Sequence, residues 1–261
     1  MKRILFAAAT FVALSSCSFI RIDTKTLMTM FEEEGIDLSE SPKKAVSASG
    51  PVVTEVRDGL PEFTGIESSI PIDIEYSQGD QYVSISAPNN VMPYISTEVV
   101  NGTLKIKFSG ARVKNVKDIG AVIRTPDLRS VDLNGAGDIE MKGHVEISQI
   151  DIAINGAGDV DIDDLTVNSF QIDVNGAGDI EIERIACESF GADISGAGDM
   201  SIDSIEAASL RVGLSGAGDC TLAGHVTEAD LSVNGAGSVD VRNLRIDHEN
   251  SNVNGFAKII R

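Results

Sequence analysis

The chain has 261 residues, enough for one or two domains, with 42% hydrophobic and 23% charged residues, 5% aromatics, no Trp and 25 Gly. Few aromatics and many small turn residues point to a thin, repetitive core. A formal charge of -19 argues against nucleic acid as a partner, because no basic stripe is present to displace counterions from phosphates; a cation, a basic surface or plain solubility fits better.

Residues 1–16 read as a signal peptide. Lys2 and Arg3 form a basic start, and Ile4–Leu14 is an apolar run too short to span a bilayer. Leu14-Ser15-Ser16-Cys17 follows. It resembles the lipobox of bacterial lipoproteins, which implies cleavage before Cys17 and acylation of its thiol. A plain secretory peptide with a chance Cys is the alternative. Loss of residues 1–16 leaves 19 basic and 40 acidic residues, a charge of -21. Ser18, in place of Asp after the acylated Cys, resembles outer-membrane sorting. Residues 17–50 then read as the lipidated Cys and a tether, with one short helix around Thr26–Glu34 and no sustained periodicity.

From 51 to 130 the pattern changes to period two. "VVTEVR", "IDIEYS", "QYVSISA" and "TLKIKF" alternate apolar and polar residues, separated by turns at Gln78-Gly79-Asp80, Pro88-Asn89-Asn90 and Asn101-Gly102. These are half-buried strands. Asn-Gly between two such strands predicts a type I′ hairpin.

From 131 to 261 a repeat takes over. The turn N/S-G-A-G-D begins at Asn134, Asn155, Asn175, Ser195, Ser215, Asn234 and, altered, Asn254, with intervals of 19 to 21 residues. A fixed period near twenty with period-two strands inside it predicts an all-β parallel solenoid with coils of ~20 residues. Aligned as coils, the positions one and three residues after the turn Asp, and five and seven before it, are all apolar: Ile180, Ile182, Val174 and Ile172 in the third repeat. Such columns must face inward and stack. Continuing the alternation through the turn places both glycines of each repeat inward, where a tight corner leaves no room for a side chain. These structural-turn positions are Gly135, Gly137, Gly156, Gly158, Gly176, Gly178, Gly196, Gly198, Gly216, Gly218, Gly235 and Gly237. Cys220 falls in an apolar column and reads as a small buried hydrophobe. Cys187 falls in a different column on a coil that is not adjacent, which argues against a disulfide.

Three chemistries compete with a bare corner. A phosphate loop lacks both the Lys-Ser/Thr and the following helix. The nine-residue calcium repeat has a different period, and its Asp follows a spacer. An acidic patch remains: Asp159, Asp161 and Asp163, then Asp179, Glu181 and Glu183, then Asp199, Ser201 and Asp203. Unit charges one coil apart, ~4.8 Å, repel by about 1 kcal/mol in water and roughly 3–4 kcal/mol at an effective dielectric of 20. Oxygen-seeking cations such as Ca2+ would relieve this at Asp159, Asp161, Asp179, Glu181 and Asp199; a solvated face that keeps solenoids apart is the alternative. His144 and His225 share a position in the repeat but stand four coils apart. No Ser/His/Asp set is readable. A polysaccharide lyase would need aromatic surfaces, and Tyr76, Tyr82 and Tyr94 all precede the repeat. No catalytic residue is assigned.

"FTGIESSIPIDIEYSQGDQYVSISAPNNVMPYISTEVVNGTLKIKF", "VIRTPDLRSVDLNGAGDIEM" and the repeated N/S-G-A-G-D, over about residues 55–261, resemble the head GIN domain family of "putative auto-transporter adhesins", common among Bacteroidetes lipoproteins. The resemblance implies a right-handed parallel β-helix with Gly-containing corners, an adhesin-like role and no catalytic residues. The departures at Ser238 and at Asn254–Lys258 fit an atypical terminal coil. Two function classes stay open: a lipid-anchored binding module with an unidentified envelope or surface partner, and a periplasm-facing structural or regulatory envelope protein.

Overall fold

Alternation of apolar and polar residues puts every second side chain on one face of a strand. In the computed structural model, which describes residues 44–261, the chain follows that rule through fifteen strands. The first nine are β1 (Lys44–Ser47), β2 (Val52–Val56), β3 (Gly65–Ser68), β4 (Asp73–Gln78), β5 (Tyr82–Pro88), β6 (Ile95–Val100), β7 (Thr103–Phe108), β8 (Ala111–Lys114) and β9 (Gly120–Thr125). The repeat supplies β10 (Ser130–Ala136), β11 (Ile139–Ala157), β12 (Val160–Ala177), β13 (Ile180–Ala197), β14 (Met200–Gly255) and β15 (Lys258–Ile260). Cys17 and the helix expected at Thr26–Glu34 lie outside the described residues. Among the described residues no helix is long and apolar enough to cross a membrane.

The repeat folds as the expected solenoid, with about seven turns. Strands pair in parallel one coil apart, so that Leu133, Ile154, Val174, Ile194 and Leu214 stack in one column. Ile139, Val160, Ile180 and Met200 stack in another. All nine are buried. Full burial of such side chains stabilises by ~1.5–3 kcal/mol each, and repetition makes the columns the main support of the fold. Phe170 and Phe190 add a ring pair with centroids 5.1 Å apart. The one interval of 21 residues is absorbed as a register shift between Met141 and His144, where Gly143 turns with φ 70°.

The N-terminal strands extend the stack by two further coils. β3 and β4 pair with β10 and β11, aligning Ile66 with Val131 and Ile74 with Ile139. β7 and β9 pair in turn with β3 and β4. The parallel order stops there. β6 folds back on β7 through Asn101 (φ 54°) and Gly102 (φ 78°), the predicted type I′ hairpin. β5 runs antiparallel to β9, and β2 antiparallel to β5. Antiparallel strands thus cover the parallel edge at this end. β1 is a finding the sequence did not show: Lys44–Ser47, inside the segment read as tether, pairs in parallel with β8 in a two-stranded sheet. Four residues are too few for a periodicity signal.

Candidate functional site

The turn motif forms one corner of every coil, but its glycines do not point inward. In the third repeat Val174 and Ile180 are buried, while Asn175, Gly176, Ala177 and Asp179 are exposed and Gly178 is half-buried. Alternation is suspended for five residues. Two other physical reasons demand glycine. Gly176 has φ +148°, a conformation that side-chain-bearing residues rarely adopt. A Cβ on Gly176 would also stand 2.8 Å from the carbonyl carbon of Gly156 and nearer still to its oxygen; one on Gly178 would meet Gly158 in the same way. The obstacle is the backbone of the adjacent coil, not the core. Coils pack backbone on backbone here, and the same collision recurs at both glycines from Gly156 to Gly237.

The turn Asp has a role that the sequence did not disclose. Along the corner the second Gly and the residue after Asp donate their N–H groups to the next coil, as in Gly158 N to Ala177 O at 3.1 Å and Val160 N to Asp179 O at 2.9 Å. The Asp N–H points the other way, to the preceding coil, and its acceptor there is a side chain. Asp159 N donates to Asp138 Oδ1 (2.9 Å), Asp179 N to Asp159 Oδ1 (2.8 Å), Asp199 N to Asp179 Oδ1 (2.8 Å) and Asp219 N to Asp199 Oδ1 (2.7 Å). At the far end Ser238 donates both its N–H (2.8 Å) and its hydroxyl (2.7 Å) to Asp219 Oδ1. At the near end Asp138 N donates to Asp73 Oδ1 at 3.3 Å. Each carboxylate therefore serves as acceptor for the next coil's backbone. Charge-assisted bonds of this kind are about twice as strong as neutral ones, which offsets the repulsion along the row.

Ala-Gly-Asp rungs line an open groove of about 820 Å³ that runs along this edge from Asp73 to Gly218. Its lining repeats one alanine, one glycine and one aspartate per coil, from Ala136-Gly137-Asp138 to Ala197-Gly198-Asp199, and ends at Ala217-Gly218.

The five candidate cation ligands do not form one set. Asp159, Asp179 and Asp199 belong to the corner row. Asp161 and Glu181 stand two residues further on and are cross-strand neighbours of one another, in a column with Glu75, Glu140 and Ser201. Partial burial raises the Asp161 carboxyl pKa above the usual aspartate value, and Glu181 and Glu140 raise it further. Asp163 instead accepts the Gly143 N–H at 2.6 Å. Among the described residues no three His, Cys, Asp or Glu side chains converge as a metal-binding group. His144 lies 3.0 Å from Asp164, and His225 3.1 Å from Glu206 and 3.3 Å from Asp247. Both are exposed or partly exposed, on separate coils. Cys187 and Cys220 are free thiols. Cys220 is buried in its column, and burial pushes the Cys187 thiol up to about 11.

Asp73 is the site residue that sequence reading missed. Ser69-Ile70-Pro71-Ile72-Asp73 occupies the corner above Asn134–Asp138, with Ile72 N donating to Ala136 O (3.1 Å) and Ile74 N to Asp138 O (2.7 Å). The available signal was an Asp one residue before Ile74 and three before Tyr76, the same spacing as in the repeat, without any glycine before it.

A family model described as "Putative auto-transporter adhesin, head GIN domain" matches residues 62–184 and 171–260. Solved structures share the fold. A "putative adhesin" from Bacteroides fragilis is 23% identical, with a TM-score of 0.64 over 82% of this chain and 100% of that one. A "putative lipid binding protein" from Parabacteroides distasonis is 16% identical, with a TM-score of 0.64 over 84% and 100%. A "putative adhesin" from Parabacteroides merdae is 17% identical, with a TM-score of 0.57 over 84% and 100%. No curated protein matches the chain.

Proposed function

The chain belongs to the head GIN domain family, and from that premise we propose that it is a non-catalytic, lipid-anchored envelope protein whose solenoid works as an adhesin-like binding module. Cys17 carries the acyl chains, and residues 18–43 lead to the solenoid. The observation that supports this most is the repetition of one surface. Five Ala-Gly-Asp rungs present the same methyl, backbone and carboxylate at ~4.8 Å steps. A repeated weak contact gains affinity by multivalency rather than by one deep anchor. The surface lacks Trp altogether and is poor in the aromatic anchors of tight interfaces, so a repetitive partner fits it better than a compact one. Ca2+ enters this proposal only as a loosely held counter-ion over the carboxylate row, and a thermal melt with EDTA and then with millimolar Ca2+ tests that.

The ladder itself favours a second reading, a structural or regulatory protein facing the periplasm, because one oxygen of each corner Asp is already committed to the next coil. Two measurements separate the readings. Labelling with an alkyne fatty acid should mark the wild-type chain and fail on C17S; a labelled C17S variant rules out the anchor. Protease added to intact cells should remove the domain if it is displayed. A domain fully protected until the outer membrane is breached overturns the adhesin reading and leaves the second.

A further inference from the structure

The charge of the described chain is unevenly placed. Residues 131–238 contain 21 Asp and Glu against 3 Lys and Arg, whereas residues 44–130 contain 10 against 9. Within that near-neutral layer most cations are engaged. Arg57 pairs with Glu55 at 2.9 Å, Lys105 with Glu67 at 2.5 Å, Arg129 with Asp127 at 2.7 Å and Lys107 with Glu98, while Arg124 stacks 4.7 Å above the Tyr82 ring. Arg112, Lys114 and Lys117 differ. All three are exposed, and no carboxylate of the described residues lies within 4.0 Å of them. They fall within six residues, on β8 and the turn after it. β8 is the strand that pairs with β1, where the described chain begins.

We propose that this basic flap, Arg112, Lys114 and Lys117, docks on the phosphate headgroups of the membrane in which Cys17 is anchored. The proposal rests on the lipid-anchor reading for its membrane, and on the flap's own geometry for its contact. The flap belongs to the corner of the coil above Asp73, whose N–H donates to Ile119 O at 3.1 Å. The carboxylate row starts one coil below the flap and recedes by ~4.8 Å per coil. With the flap down, the acidic coils extend away from the bilayer. At ~0.1 M salt the screening length is about 10 Å, so most of the row lies too far to oppose the contact. Residues 18–43 number 26, a length of chain that reaches at most ~90 Å, so a contact between the flap and the surface that holds Cys17 lies within its span. Each Lys or Arg near an anionic surface favours binding about fivefold, so three give on the order of a hundredfold. A rigid edge pinned at one end would present the groove outward.

The test uses residues 18–261, which carry the whole hydrophobic core, Phe63 to Leu244, and lack the acylated Cys. Co-sedimentation with phosphatidylglycerol–phosphatidylcholine vesicles at ~0.1 M salt should exceed that with phosphatidylcholine alone by about a hundredfold in partition coefficient. The R112E/K114E/K117E variant should lose that difference without a change in melting temperature. A control with cations changed elsewhere, R211E/K258E, should keep it. Equal partition on both vesicle types, or equal loss in both variants, overturns the proposal. So does vesicle-independent self-association that disappears in the triple variant, which would mean that the flap grips the acidic row of a second copy. Because the tested form has no acyl chain, failure here leaves the fatty-acid labelling result standing, and failure of that labelling leaves this contact standing.

Discussion

Ser69–Asp73 and Asn175–Asp179 are the same corner made from different residues. Both send an N–H to an Ala carbonyl of the next coil, and both end in an Asp whose Oδ1 accepts the next Asp N–H. The earlier corner carries Ile70 and Ile72, each buried, where the later one carries Gly176 and Gly178. What differs is the layer above. Gly176 and Gly178 lie against the carbonyls of Gly156 and Gly158. Above Ser69–Asp73 the chain departs into β8 and its basic turn, and the Asp73 N–H goes to the backbone of Ile119 rather than to a side chain. Glycine is therefore the signature of coil stacked directly on coil, while Asp is the signature of a coil that follows.

Disrupting the stacked corner should have the largest effect. Gly176→Val combines a positive φ with a backbone collision and should lose ~4 kcal/mol or more in a urea melt. Gly59, with φ +74° and open space around its Cβ, is the contrast: Gly59→Ala should lose only about 1–2 kcal/mol. If the two melt alike, backbone stacking is not what selects glycine. Ala177→Ser, exposed between the glycines, should be near neutral.

Next comes the ladder. Asp179→Ala removes the acceptor of the Asp199 N–H and should cost ~1–2 kcal/mol, whereas Asp179→Asn keeps an oxygen and should cost less than half of that. Amide exchange at Asp199 is the direct readout: faster exchange in the alanine variant alone supports the bond, and unchanged exchange removes Asp from the structural account. A smaller effect of opposite sign is expected on the sheet face. Burial, then Glu181 and Glu140, raise the Asp161 pKa in the fold. A raised carboxyl binds its proton more readily in the folded state, so its ionised form costs stability above the folded pKa and the cost fades as pH falls below the unfolded value. Asp161→Asn should raise stability at pH 7 by less than about 1 kcal/mol, read as a slightly higher melting temperature, and lose that advantage near pH 3. The smallest effect belongs to His225. Hydrogen bonds that its ring donates to Glu206 and Asp247 raise its pKa above 6.5. Its contribution is complete below the unfolded pKa and disappears as pH rises through the folded one. His225→Ala should therefore lower the melting temperature slightly at pH 6 and leave it unchanged at pH 9.

The legible parts of the molecule were those that repeat. Val174 and Ile180 could be assigned to the interior because each recurs as an apolar residue in every coil, and the Asn101-Gly102 turn because its residue types specify positive φ. Ile70 and Ile72 were not recognised as a corner, since nothing in Ser-Ile-Pro-Ile-Asp resembles Asn-Gly-Ala-Gly-Asp until the two are stacked. The parity rule also misled at the glycines. It assumes that alternation persists, whereas the corner suspends it for five residues. Asp159 and Asp161 looked like one acidic patch because they are two residues apart in sequence; the bend at the corner assigns one to a backbone ladder and the other to a sheet column.

The sequence by itself determined the all-β class, the length of the coil, the apolar columns and the place of the corner, because each of these is a periodicity and a period is local information. Tertiary structure alone decided why the corner is glycine, which backbone group each Asp serves, and that Arg112, Lys114 and Lys117 have no carboxylate partner among the described residues. Those depend on which atoms lie one coil away, some twenty residues distant in the chain, and no local pattern encodes the direction in which a backbone N–H or a Cβ will point once the coils are stacked.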